Sequence, residues 1–256
     1  MAPITTPPDF KHPAPPTTLR RDCGNCAETP WGEPWQLGSA AFWAQQAAEF
    51  PSGEGRHRLG RNLREEVAVC MLGGYGVPGP VGNAAFVALR TAGLLTPDLD
   101  EETVAAAMTH VLAQPLDLGH GRRTRYRFYL QRPRRLAAAL AELAGWEHES
   151  DADSDTELRN RLMHLPGVGP KTASWIVRNH RDSDAVAIID IHIRRAGINA
   201  GVFCPDWALP RHYELFENAF LSWANQGAVS AADLDAAIWR MLSALGRRGR
   251  IMVLGH

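Results

Sequence analysis

Beyond residue 38, apolar positions recur at helical spacing in almost every segment, and the strict alternation of a half-buried strand is nearly absent. Ser39 stands before AAFWAQQAAEF as an N-cap, and residues 64–72 form a compact apolar helix that stops at Gly73-Gly74. The stretch 75–80 is rich in proline and glycine and reads as a stop before a helix at about 83–92. Asp100 opens DEETVAAAMTHVLAQ with acids in the first turn, where the helix dipole favours them. Further helices are expected at 134–144, from Asp155 through TELRNRLMHL, at 171–180, from Asp190 onward, and near 210–226 and 230–245. Only 185–189 reads as a strand. No unit of roughly 20 to 50 residues repeats, which excludes a solenoid. The expected class is all-α, preceded by a proline-rich extended arm over residues 1–38.

With 256 residues, 45% of them hydrophobic, the chain can bury one large core or two smaller lobes. No segment approaches the roughly 18 to 20 unbroken apolar residues of a membrane helix, and MAPITTPPDFKHPAPP lacks the apolar core of a signal peptide. A cytoplasmic location with no membrane partner is expected. Four cysteines are too few and too scattered for a disulfide framework.

The net charge of -1 excludes a uniformly basic protein, yet the charge is unevenly placed. Seven arginines fall within residues 122–135, interleaved with Tyr126, Phe128 and Tyr129. Such a run is either a solvated face or a nucleic-acid surface, with Arg123 and Arg125 as phosphate-binding candidates. The acids that follow, Glu147, Glu149, Asp151, Asp153, Asp155 and Glu157, read as a solvated face.

The chain has 25 arginines but only two lysines, and one of these, Lys171, sits in LPGVGPKTA. Guanidinium stays charged in any protein environment, whereas a desolvated amine can lose its proton and attack carbon. A lysine bonded to phosphate or solvent is the plainer alternative. Helix, the hairpin Pro166-Gly167-Val168-Gly169 and the next helix make a helix-hairpin-helix unit. Its glycines permit a tight turn, and Val168 can anchor it in the core. Amides opening the second helix can then hold a DNA phosphate without reading sequence. Nineteen residues past Lys171 comes Asp190, in AIIDIH, which can serve as a helix cap or as a catalyst.

LPGVGPKTA, a spacer of this length and then D-x-H resemble the helix-hairpin-helix DNA glycosylase superfamily, which includes endonuclease III and the 8-oxoguanine DNA glycosylases. The resemblance implies two helical subdomains with a cleft between them: residues 39–62 with 172–256, and residues 63–171. It also implies that Lys171 attacks C1′ of an extruded nucleoside and that Asp190 stabilises the charge developing on the sugar. His192 would be structural. The cysteine cluster of endonuclease III is missing, so no cofactor is expected, and there is no room before Ser39 for the β domain of the eukaryotic enzymes.

What remains resembles the compact, wholly helical oxoguanine enzymes of archaea and bacteria, which act on duplex DNA. Asp235 and Trp239 resemble their late helix, with the aspartate to bond a purine N–H and the tryptophan to stack on the base. A buried core tryptophan is the alternative. Gln45 or Gln46 could add a base contact. The 75–81 loop lies where this superfamily inserts a wedge, but its composition departs from the usual polar one. Cys23 and Cys26 have half the spacing of a zinc knuckle, with His12 and His57 as conceivable partners, but no second Cys or His pair follows at a suitable distance and no metal is expected. The resulting expectation is a monomeric glycosylase and AP lyase for 8-oxoguanine. A glycosylase for another modified base and a non-catalytic DNA-binding protein are the alternatives.

Overall fold

The computed structural model describes residues 18–19, 29–51, 57–74, 76–96 and 100–254. In chain order it comprises β1 (Thr18–Leu19), β2 (Thr29–Pro30), α1 (Ala40–Glu49), α2 (Leu63–Leu72), α3 (Gly79–Thr91), α4 (Glu101–Ala113), β3 (Leu116–Asp117) and β4 (Arg123–Thr124). Then follow α5 (Gln131–Ala144), a 3-10 turn (Glu147–Ala152), α6 (Asp155–Leu162), α7 (Pro170–Arg181), α8 (Ile191–Asn199), α9 (Tyr213–Gln226), α10 (Ala231–Ala244) and α11 (Arg247–Leu254). The fold is all-α. Its strands among the described residues are limited to two antiparallel pairs of two residues each, β1 with β2 and β3 with β4. Among the described residues no helix is long and apolar enough to cross a membrane.

The chain divides into two compact units: Met1–Pro51, Ile191–Trp207 and Glu214–His256 form one, and Ser52–Asp190 with Ala208–Tyr213 form the other. The expected division at 62/63 and 171/172 therefore moves. The cause lies in packing. Helix α7 lies against α2 and α6, which holds residues 172–190 in the second unit. Residues 59–60 are tied to the same unit, because the buried Glu66 carboxylate accepts from Leu59 N–H (3.1 Å), Gly60 N–H (2.7 Å) and Asn179 Nδ2 (2.8 Å). A buried carboxylate with three donors is satisfied and holds the loop to the helix.

Helix α2 is the axis of the second unit. It is buried on nearly every side and packs against α3, α5 and α7. Around it Phe86, Met108, Leu136, Leu158 and Ile176 complete one continuous core. In the first unit α1 packs on α10, and α8 on α10 and α11, over Trp43, Phe203, Phe216, Phe220 and Trp223. Phe203 meets Phe216 edge to face at 4.9 Å, an arrangement aromatic quadrupoles favour. Trp223 donates its indole N–H to Ala40 O at 3.2 Å. Part of the expected arm joins this unit. Trp31 is buried, its carbonyl accepts from Ala41 N–H, and the Thr29 hydroxyl donates to Gly201 O.

Local chemistry accounts for most helix starts. Ser39 accepts from Phe42 N–H, Asn62 from Glu65 N–H and Asp100 from Thr103 N–H. Hydrogen bonding from Thr103 holds the Asp100 carboxyl below its ordinary range. Three expectations change. Helix α3 begins at Gly79 rather than near 83, because proline is tolerated in a first turn whose amides have no partner. Residues 185–189 form no strand. The buried, extended run Val186, Ala187, Ile188, Ile189 is served by the Tyr213 hydroxyl, which donates to Ala187 O (2.7 Å) and accepts from Ile189 N–H (3.3 Å).

Half of the acidic stretch is not a solvated face: Glu147, Asp153 and Asp155 are paired, whereas Glu149, Asp151 and Glu157 stay exposed. Arg64 binds Glu147 at 2.9 Å, Arg161 binds Asp153 at 2.9 Å, and Arg181 binds Asp155 at 3.0 Å. Arg181 also donates to the carbonyls of Asp153 and Ser150. These guanidiniums fold the acids into the 3-10 turn and the start of α6.

Candidate active site

The hairpin between α6 and α7 starts from a capping box. The Ser154 hydroxyl accepts from Glu157 N–H, and the Glu157 carboxylate accepts from Ser154 N–H at 2.8 Å. After α6, Val168 turns into the core and donates its amide to Leu165 O at 3.0 Å. Gly167 has φ +83° and a Cβ there would lie 3.0 Å from Arg135 Cδ, so both backbone and space require glycine. Gly169 differs. Its φ is -99°, open to any residue, and a Cβ would meet nothing within 4 Å. The fold makes no demand for glycine there. Pro170 occupies the first turn of α7, and the amides that follow belong to the set a helix leaves without internal partners.

Lys171 lies in that first turn and lines a cavity of about 220 Å³ with Cys70, Gly73, Gly74, Gly167, Thr172, Trp175 and two arginines, Arg132 and Arg135. Its Nζ sits 5.5 Å from the centre of the Trp175 ring, one turn along the same helix. The ring closes against the α2 terminus, where a Cβ on Gly73 would stand 3.0 Å from Trp175 Cη2. Arg132 donates to Met71 O (2.9 Å), to Gly73 O and to the Tyr126 hydroxyl (3.2 Å), and stacks over Phe128 at 4.8 Å. Tyr126 is 0% exposed, its hydroxyl donates to Leu72 O at 2.7 Å, and burial raises its pKa. It therefore belongs to the core and offers no ring to a nucleic acid.

Two side chains in this cavity are strong nucleophiles once deprotonated, Lys171 and Cys70; the Thr172 hydroxyl is a much weaker one. Burial, and next the Glu66 carboxylate, push the Cys70 thiol well above its ordinary pKa, and its Sγ faces Glu66 Oε1 at 3.9 Å. A thiol kept protonated is a poor nucleophile, which leaves the amine. Asp190 ends the buried run 186–189, is half-buried, donates its amide to Ile188 O at 3.0 Å, and immediately precedes α8. It is not among the residues lining the Lys171 cavity.

Arg123 lies on β4 and Arg125 just past it. Both are exposed, and neither meets an acid among the described residues. The remaining candidates belong to the first unit. Gln45 is exposed and gives its amide to Glu49 at 2.9 Å, whereas Gln46 is half-buried with no side-chain partner among the described residues. Asp235 is half-buried, and Trp239, one turn on, is 49% exposed, so it is not a core tryptophan. His192 is half-buried in α8, and His57 lies at the start of the second unit. His12, Cys23, Cys26 and Tyr75 lie outside the described residues. Sequence reasoning missed Trp175, Arg132 and the Gly73-Gly74 wall. Only Trp175 carried a signal, its spacing of four from Lys171.

An all-helical chain in which a glycine hairpin leads into a lysine-bearing helix defines the helix-hairpin-helix class. Residues 98–229, just over half the chain, match the Ogg-HhH family model, described as 8-oxoguanine DNA glycosylase, and the chain belongs to that family. An 8-oxoguanine DNA glycosylase/AP lyase of Saccharolobus solfataricus is 35% identical over 123 residues, which cover 45% of this chain and 58% of that protein. The chain thus matches a little over half the length of this relative.

The 8-oxoguanine DNA glycosylase of Thermotoga maritima shares the fold with a TM-score of 0.53 at 20% identity, covering 80% of this chain and 90% of its own. The Methanocaldococcus jannaschii enzyme gives 0.53 at 20% identity, covering 80% and 87%. Endonuclease III, trapped as a covalent intermediate with DNA, gives 0.55 at 15% identity, covering 80% and 85%.

Proposed function

We propose that this protein is a bifunctional DNA glycosylase and AP lyase that removes 8-oxoguanine from duplex DNA. One observation carries the reading: the amine of Lys171 stands at the head of the hairpin-led helix, in a cavity whose other strong nucleophile is a buried, protonated thiol. Lys171 in its neutral form attacks C1′, and the C1′–N bond breaks as the base departs with a proton. The nitrogen lone pair then expels O4′ from C1′, the departing oxygen takes up a proton to become a hydroxyl, and a protonated Schiff base remains. Loss of a C2′ proton expels the 3′ phosphate. The Asp190 carboxylate stabilises positive charge on the sugar before the nitrogen bond is complete.

The supporting contacts divide by chemistry. Gly167, Val168 and Gly169 present backbone to a phosphate, and the open space over Gly169 lets it approach. Arg123 and Arg125 add charge along the strand. In the first unit, the exposed face of Trp239 suits stacking on an extruded purine, with Asp235 as acceptor. Gln46 is favoured over Gln45, whose amide is committed to Glu49.

The test is borohydride trapping on an 8-oxoguanine duplex, with parent protein and Lys171→Gln side by side. The parent should give a covalent adduct and the variant none, while duplex binding is retained. An adduct undiminished in the variant would overturn the assignment. Asp190→Asn should slow base release by about 100-fold with the fold intact. Running the same assay on duplexes with other oxidised bases identifies the preferred lesion.

A further inference from the structure

A second cavity, of about 690 Å³, lies in the same unit but shares no lining residue with that of Lys171. Helix α7 contributes to both, Lys171 to one and His180 to the other. Lys171 and His180 stand nine residues apart along it, about 13.5 Å at 1.5 Å per residue. Four guanidiniums line this second cavity, those of Arg58, Arg61, Arg64 and Arg90. Its acids are Glu65, Glu147 and Asp151, and two of them are already engaged. Glu147 takes three hydrogen bonds from Arg64, the shortest 2.9 Å. Glu65 accepts from Arg61 N–H at 2.9 Å and lies 3.9 Å from Arg90.

The third acid, Asp151, pulls the His180 pKa upward, and neither Arg58 nor Arg61 forms an ion pair with an acid among the described residues. The side chain of Arg61 has no partner among the described residues, and Arg58 gives one N–H to His180 Nδ1 at 3.0 Å. That bond needs an imidazole lone pair. Burial first, then Arg58 and Arg181, lower the His180 pKa, which keeps the ring neutral and able to accept. Four of the five guanidinium N–H groups of Arg58 remain. The first turn of α2 borders the same cavity through Asn62 and Leu63. Leu63 and Leu95 supply an apolar wall.

We infer that this cavity is a second binding site, remote from the lyase centre, for a phosphate group held by Arg58 and Arg61. Planar guanidinium forks fit phosphate bidentately, and the volume lies in the range of about 300 to 1,000 Å³ usual for small-ligand sites. The phosphate comes either from a free nucleotide or from the backbone of the DNA outside the lesion. The site does not depend on Lys171 chemistry.

The test titrates dTMP, inorganic phosphate and thymidine into the parent protein and into an Arg58→Gln, Arg61→Gln double variant. Both positions are exposed, so the fold should tolerate the change. In the nucleotide case dTMP binds the parent, phosphate competes with it, thymidine does not bind, and the variant loses about tenfold or more in affinity. In the backbone case free dTMP does not bind, and the variant loses affinity for a duplex of about 30 bp while binding one of about 12 bp as the parent does. Lys171→Gln should retain the binding seen in either case, which separates this site from the proposed catalysis. Equal affinity of parent and double variant for dTMP and for both duplexes would overturn the inference.

Discussion

Two charged segments of this chain look alike as sequence and behave as opposites in the fold. Three acids of 147–157, Glu147, Asp153 and Asp155, are gripped by Arg64, Arg161 and Arg181, which come from α2, α6 and α7. The arginines of 122–135 receive no such compensation, and Arg122, Arg123, Arg125, Arg134 and Arg135 stay exposed without an acid partner among the described residues. Only Arg132 turns inward, toward carbonyls at the end of α2. Charge that is neutralised at close range holds a fold together, whereas charge left open is available to a partner. The contrast teaches that the sign of a charged run says less than where its counter-ions are.

The largest effect should come from breaking the compensated side. Arg181 is 19% exposed, and Arg181→Ala strands the Asp153 and Ser150 carbonyls and the Asp155 carboxylate. We expect a loss of about 2 to 4 kcal/mol, read as a lower urea midpoint at unchanged slope. A variant as stable as the parent would mean the acids need no brace. On the open side, Arg123→Gln with Arg125→Gln should leave the melting temperature alone. It should weaken duplex binding about tenfold and flatten its log-log salt dependence by about 1.8. If the salt slope does not move, the basic run is solvated surface. The smallest effect belongs to Glu149, whose 3.5 Å pair with Arg161 is well exposed. Glu149→Gln should cost less than about 0.5 kcal/mol in the same denaturation assay, and a larger cost would blur the line between brace and surface.

Signals that act within a few residues were legible before the fold was known. Ser39 and Asp100 cap the helices they precede, the hairpin sits between α6 and α7, and Lys171 opens a helix. What escaped depends on partners distant in sequence. The run 186–189 has the composition of a strand, but its backbone is served by Tyr213, 24 and 26 residues away. Tyr126 sits among arginines yet is swallowed by the core, because its hydroxyl finds Leu72 O across 54 residues. The Lys171 cavity was half legible. Gly167 and Lys171 come from one motif, whereas Gly73, Gly74 and Arg132 arrive from other helices, and no local pattern marks them.

Helix α7 carries the amine in its first turn and Arg181 as its final residue, cross-bonded to 150–155. It is a strut anchored at the end away from Lys171. Thermal opening of that anchor would release the strut as a whole, so the steadiness with which the Lys171 amine is held is set ten residues away, by the groups that grip Arg181.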